Sequence, residues 1–389
     1  MQINIDCAKS DADIVNHIES NTESTRKLAS IQRVESVSKH TNADSLELVS
    51  VLGWQIVTRI GEAKPDDLIV YCEIDSVLPN AEWLPNAIKS KLKDPKDKHR
   101  LKTAKIRGEI SQGLIVPLHS SMNFDVSSIT TKDIGTNVTD FLEITKYEPP
   151  ALTGKYAMFQ TNSNLRFPSD IIKKTDETRI QSSPKLLKWM KGKPYYSTVK
   201  LDGTSATYFM GPKRLMNEDS SKDSSNELSE EMTLIVCSRN QIRKRPKNLS
   251  VCPYWYIANK YNLEEKLKNN VNIAIQGEIC GPNIQKNLLN LKDLDFFVFN
   301  VVDIREPGGK RFGYKESIEY VHDTLKLKFV PVEDCGDEFG YESVTPLKKV
   351  AEGVYQNSKK TREGLVFRTQ DSEISFKIIN DKYLLKTDQ

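Results

Sequence analysis

The sequence predicts an α+β chain in two unequal parts, a small all-strand barrel followed by a larger domain in which strands and helices mix. Three observations predict it. From Leu28 to about residue 118, short runs rich in β-formers (LASIQRVESV, LELVSVLGWQIVTRI, LIVYCEIDSVLP, GLIVPL) alternate with the turn clusters KHTNADS, GEAKPDD and LPNAEWLPN. Several such strands with little helix fit a closed barrel of the OB type. Beyond residue 151, strand runs alternate irregularly with helical ones, as in α+β domains and unlike a doubly wound parallel sheet.

In chain order, residues 1–25 are polar and read as a loose arm. Residues 26–150 form the OB-like domain and its linker, with 120–150 a connection that ends at the structure-breaking Pro149-Pro150 pair. Residues 151–389 form the second domain. There PKLLKWMKG (184–192) reads as a short helix. YYSTVKLDGTSATYF, TLIVCSRN, VNIAIQGEICG, DFFVFNVVDI, GLVFR and EISFKII read as strands. YWYIANKYNLEEKLKN and ESIEYVHDTLKL read as the helices between them. The Ser- and acid-rich stretch 213–232 lacks an apolar period and is expected to be an exposed insertion in a hairpin.

Composition narrows the function classes. With 38% hydrophobic and 28% charged residues, the chain is globular rather than fibrous or disordered. It has no apolar run of about 18 residues, which argues against a membrane span, and its acidic N-terminus is unlike a secretory signal; an intracellular protein is expected. The six cysteines form no CxxC pair and the five histidines are scattered, so neither a zinc site nor a disulfide framework is expected. A net charge of +3 predicts no polyanion partner by itself. Local basic runs at 89–107 and 239–247 would have to supply phosphate contacts, and either could equally be a solvated surface.

The central signal is Lys200-Leu201-Asp202-Gly203, a lysine between an apolar strand and an Asp-Gly turn. A lysine amine is a nucleophile only when unprotonated, so such a residue must have its pKa lowered by burial or by nearby positive charge. KxDG alone is equally an ordinary turn beside a surface lysine. The ordered set after it is more specific. Ser238-Arg239-Asn240, Gln276-Gly277-Glu278, DFFVFNVVDI, Arg362-Glu363-Gly364-Leu365-Val366 and Ser375-Phe376-Lys377 follow in that order.

This series resembles the covalent nucleotidyltransferase superfamily of ATP-dependent ligases and capping enzymes. FPSDIIKKTDETRIQ ahead of the lysine, REGLVFR, SFKIIN and YLLK, with KHTNADSLELV and RGEISQG in the N-terminal part, narrow it to ATP-dependent RNA ligases that place an OB domain before the catalytic domain. The resemblance covers roughly residues 28 to 386. It implies an ATP-grasp-like nucleotidyltransferase domain with antiparallel sheets. It implies that Lys200 carries AMP, with Asp202, Glu278, Glu363 and Lys377 as further catalytic residues. ATP would be held by Arg179, Val199, Gly203, Arg239, Phe299 (stacked on the purine) and Lys377. A Mg²⁺ or Mn²⁺ ion would be held through waters by Asp202, Glu278 and Glu363, hard oxygen donors that suit either metal. RNA would be contacted by Arg107, Arg239 and Asn240, and by lysines of 89–105.

Two departures stand out. The fifth motif often reads KxK, and only Lys377 fits here, with Ser375 before it; Lys386 is a distant substitute. Arg179 has an alternative partner in Asp176 or Glu177, and RGEISQG an alternative role as a tight turn. The implied partner is RNA, as a nicked duplex or a broken structured RNA, with no membrane, no protein partner and a monomeric state. The competing readings are a DNA ligase, a GTP-using capping enzyme, and a binding protein without catalysis. DNA ligases and capping enzymes carry their OB domain after the catalytic domain, and only a few residues follow SFKIIN here.

Overall fold

The computed structural model describes residues 27–147, 156, 165–216 and 231–387. The arm predicted at 1–25 lies outside them.

The first part is built from short antiparallel strands. Leu68–Cys72 pairs with Ala29–Arg33 on one side and Leu114–Pro117 on the other. Ser36–Lys39, Leu46–Val51 and Trp54–Arg59 make a meander. Burial alternates along Leu46–Val51, so Val49 and Val51 face inward. The Val57 amide donates to Ser111 Oγ at 3.1 Å, which joins the meander to the Thr103–Ile106/Glu109–Gln112 hairpin.

The segment 120–147 differs from the simple connection expected of it. Val138, Leu142 and Ile144 are buried in one core with Leu28, Ile31 and Leu78. Thr145–Lys146 pairs with Ser76–Leu78. Thr139 Oγ1 accepts from the amides of Leu28 (3.0 Å) and Ala29 (3.1 Å). Three spaced aliphatics in a polar run are too sparse for a sequence period to show, yet they suffice to close the barrel.

The second part has two antiparallel sheets. One runs in the order Val332–Gly336, Tyr195–Lys200, Gly364–Thr369, Ser375–Ile379. The other contains Met232–Ser238, Thr204–Pro212, Ile273–Cys280 and Asp295–Asp303, edged by Lys310–Arg311 and Lys328–Phe329. The chain leaves the first sheet at Lys200 and enters the second at Thr204, so the LDG turn is the seam between them. Helices Pro253–Lys260 and Leu263–Lys268 cover the second sheet through Trp255, Ile257, Leu263 and Leu267. They were expected as one helix. Asn262 at φ 52° breaks it, a conformation Asn tolerates better than most residues.

Two further helices had no sequence expectation, Val344–Ala351 and Asp381–Thr387. Within the expected insertion 213–232, Lys213–Met216 forms a 3₁₀ turn whose Lys213 pairs with Glu231 at 2.8 Å, and Met232 already belongs to the next strand. The five cysteines among the described residues are all free, four of them buried. No helix among those residues is long and apolar enough to cross a membrane.

Candidate active site

Strand register builds the site. Lys200 pairs with Gly364, which sets Glu363 beside it. The Lys200 Nζ to Glu363 Oε1 distance is 2.8 Å, with the side chains 26% and 15% exposed, so the pair is screened but reachable. In the second sheet Ser205 pairs with Glu278 and Thr204 with Ile279, which brings Glu278 under the turn. Both approaches need glycine. A Cβ on Gly203 would lie 2.4 Å from the Ile279 carbonyl and 2.8 Å from Glu278 Cγ. Gly364 has φ 155°, and its Cβ would lie 2.1 Å from the Ile378 carbonyl.

A buried tyrosine knots these pieces together. Tyr355 donates its hydroxyl to the Lys200 carbonyl (3.0 Å) and accepts from the amides of Asp202 and Glu363 (3.2 Å each). It is 3% exposed, so all three bonds are shielded from water. Arg362 fixes the approach to Glu363. Its guanidinium donates to the carbonyls of Val350 (2.7 Å), Ala351 (3.2 Å) and Glu352 (3.0 Å) at the C-terminus of helix Val344–Ala351 and pairs with Glu333 at 2.7 Å. Tyr383, on the last helix, donates to Asp202 Oδ1 at 3.0 Å.

The charges are crowded. Burial alone would depress the Lys200 amine, but Glu363, Glu278 and Asp202 outweigh it and hold the ammonium above its ordinary pKa. Burial pushes the Glu278 carboxyl up to about 8, with Glu363 and Asp202 adding repulsion that Lys200 only partly offsets. Burial and Glu363 push Asp202 up to about 6, against the Tyr383 bond and Lys200. Three carboxylates around one ammonium make a site short of positive charge. Among the described residues, no group of three or more His, Cys, Asp or Glu is placed to hold a metal ion. The chemistry of the donors and the charge deficit therefore fit a hydrated divalent cation held through waters rather than one gripped directly.

This cluster lies in a cleft of about 2200 Å³ between the two parts of the molecule. Lys200, Asp202, Gly203, Arg179, Val199, Arg239, Asn240, Glu278, Phe299, Glu363 and Lys377 all line it. The barrel contributes Glu73, Asp75, Arg100, Lys146 and Tyr147 to the same walls.

A family model described as RNA ligase matches residues 193–381, and one described as an OB-fold domain matches residues 28–118. The structure of a Naegleria gruberi RNA ligase with PPi is 31% identical, with a TM-score of 0.75 over 94% of this chain and 100% of that one. The chain belongs to the RNA ligase family. A variant of the Naegleria enzyme with AMP and Mn (30% identity, TM-score 0.76) covers the same shares, and another with ATP and Mn (31%, 0.75) covers 93% of this chain and 99% of that one. No curated protein sequence matches it. The fold expected from the sequence, an N-terminal OB barrel ahead of an ATP-grasp-like nucleotidyltransferase domain with antiparallel sheets, is the one this ligase has.

The structure places most of the expected residues together, with some partners changed. Arg179 bonds neither Asp176 nor Glu177. Its Nη2 reaches Asp75 Oδ2 of the barrel at 3.1 Å, beside Arg100 at 2.9 Å from Oδ1. Asp176 instead takes Arg239 at 2.7 Å. Lys377 lies next to Arg179 through a parallel bridge, and its amide donates to the Thr178 carbonyl. Phe299 is half-buried on the cleft face of its strand. Asn240 is exposed.

Arg107 is not among the cleft residues. It occupies a hairpin tip at φ 45°, followed by Gly108 at φ 102°, as two-residue hairpin turns require. The tight-turn reading of RGEISQG therefore describes its backbone. Sequence reasoning missed Tyr355, Tyr383 and the Asp75 partner of Arg179. Lys286, whose charge also reaches Asp202, was missed as well.

Proposed function

We propose that this ligase seals 3′-OH/5′-phosphate breaks in RNA through a lysyl-AMP intermediate on Lys200. The observation that carries the reading is the Lys200–Glu363 pair in a cleft that also gathers Asp202, Glu278 and a ring of basic groups. Lys200 Nζ attacks the α-phosphorus of ATP and the bond to pyrophosphate breaks. The 5′-phosphate of RNA then takes AMP from Lys200. The 3′-OH attacks that adenylated phosphate, the phosphodiester forms and AMP leaves.

Each step displaces a leaving group at phosphorus, so the protein's work is alignment and charge neutralisation. Arg179, Arg239 and Lys377 are assigned to phosphate oxygens of ATP or RNA, with guanidinium forks suited to two oxygens at once. Phe299 offers the adenine a flat apolar face, and Val199 and Gly203 line its approach. Glu363 holds Lys200 in place and is the nearest acceptor for its proton. Mg²⁺ or Mn²⁺ held by Asp202, Glu278 and Glu363 through waters would relieve the carboxylate crowding, favour the neutral amine and stabilise charge on the α-phosphate. Arg107 and the lysines of 89–105 are assigned to the RNA backbone outside the cleft. A monomer working on a nicked duplex or a broken structured RNA completes the reading.

The test is incubation with α-labelled ATP or GTP and Mg²⁺ or Mn²⁺, followed by a denaturing gel beside Lys200→Ala. Covalent label from ATP alone, absent in the variant, with sealing of nicks that carry a 3′-OH ribonucleotide, is the expected result. Label from GTP alone would make the chain a capping-type enzyme, and sealing confined to DNA would make it a DNA ligase.

A further inference from the structure

The barrel and Asp202 are joined by one side chain. We propose that Tyr383 is a positioning residue that transmits the seating of the OB domain to the Asp202 carboxylate; this rests on the reading of Lys200 as the nucleophile. Among the described residues, the Tyr383 hydroxyl is the hydrogen-bond donor to that carboxylate, at 3.0 Å from Oδ1. Tyr355 fixes the Asp202 main chain but leaves the side chain to Tyr383.

The helix that carries Tyr383, Asp381–Thr387, is held by the barrel as much as by its own domain. Leu384 and Ile379 are buried in a core cluster otherwise made of barrel residues, among them Trp54, Tyr71 and Ile115, and the Tyr383 ring packs against it. At the helix start, the barrel's Gln112 donates to Asp381 Oδ1 at 3.1 Å. Lys348 closes the triangle, 3.3 Å from Gln112 Oε1 and 3.6 Å from Asp381. Gln112 is fully buried, so this triangle is shielded from competing water. A shift of the barrel thus moves the helix, and the helix moves the hydroxyl that aims Asp202. A displacement of an ångström is enough to matter in a phosphoryl-transfer site.

The experiment is single-turnover labelling of the full-length protein by ATP over a range of concentrations, with melting curves for every variant. Wild type that labels beside a Lys200→Ala variant that does not establishes the nucleophile independently of the proposal. Tyr383→Phe keeps the ring and removes only the hydroxyl. It is expected to lower the maximal rate about tenfold, with the half-saturating ATP moved less than about threefold and melting unchanged. Gln112→Ala, or Lys348→Met if the former does not fold, is expected to slow the same step from outside the cleft. Because both act through one path, combining it with Tyr383→Phe should slow labelling no more than about twofold beyond Tyr383→Phe alone. A Tyr383→Phe rate within twofold of wild type, or a double variant that loses the product of the two single losses, overturns the proposal.

Discussion

The floor of the cleft and its walls handle charge in opposite ways. At the floor, Asp202, Glu278 and Glu363 crowd one ammonium, and two of the three carboxyls are held above their ordinary pKa. In the wall behind it, Glu177 is equally buried but is met by Arg311 at 3.3 Å and Arg368 at 3.0 Å, and Ser375 donates to it. Burial would raise its pKa, yet those partners outweigh it and hold it low. The wall is satisfied as it stands. The floor is not, and its unmet demand for positive charge is what suits it to a divalent cation and a phosphorylated substrate. A site kept unsatisfied costs stability and serves activity.

The comparison predicts that equal substitutions do unequal things. The largest effect on activity is expected from Glu278→Gln and Glu363→Gln, each lowering the rate of lysyl-AMP formation about 100-fold or more. Glu278→Gln should leave the melting temperature the same or higher, because it removes a carboxylate that burial disfavours. A large drop in melting temperature for that variant would place Glu278 with the wall.

Glu177→Gln should do the reverse. Leaving Arg311 and Arg368 without their carboxylate is expected to cost about 3–5 kcal/mol in a denaturant titration. The pH dependence has a definite sign. A carboxyl whose folded pKa is depressed contributes fully above its unfolded value of about 4.3, and that contribution is lost as pH falls through the folded pKa. The gap in stability between wild type and Glu177→Gln should therefore shrink in acid, and a constant gap would mean that the ion pairs are not its source.

Tyr355→Phe ranks next. It keeps the ring but leaves the buried amides of Asp202 and Glu363 without their shared acceptor, at an expected cost of about 1–3 kcal/mol in a denaturant titration. The smallest effect is expected at Arg107. Arg107→Ala should weaken RNA binding only a few-fold and lower the salt dependence by about one counterion, as loss of a single phosphate contact does. An unchanged salt slope would confine Arg107 to its turn.

How far the sequence was legible follows from the range of each interaction. The strand runs, the seam at LDG and the order of motifs are local patterns, and they marked Lys200, Asp202, Glu278 and Glu363 as one site. The cleft gathers all four. Tyr355 is 155 residues from the Lys200 carbonyl it bonds, and Tyr383 is 181 from Asp202. A hydroxyl that bonds main chain so far away leaves no spacing signature, since any tyrosine in an apolar run would read the same. The Asp75 partner of Arg179 was hidden for the same reason, 104 residues back and in the other domain. Helix Val344–Ala351 was missed because Pro346 lies in its first turn, where proline is tolerated but reads as a breaker.

The most direct test of the central claim is the intact mass of the wild-type protein after incubation with ATP and Mg²⁺, followed by peptide mapping. The account predicts a gain of one AMP, located on the peptide that contains Lys200, removed by pyrophosphate and absent in Lys200→Ala. An adduct on any other residue, or no adduct from a folded protein that still joins RNA, would contradict it.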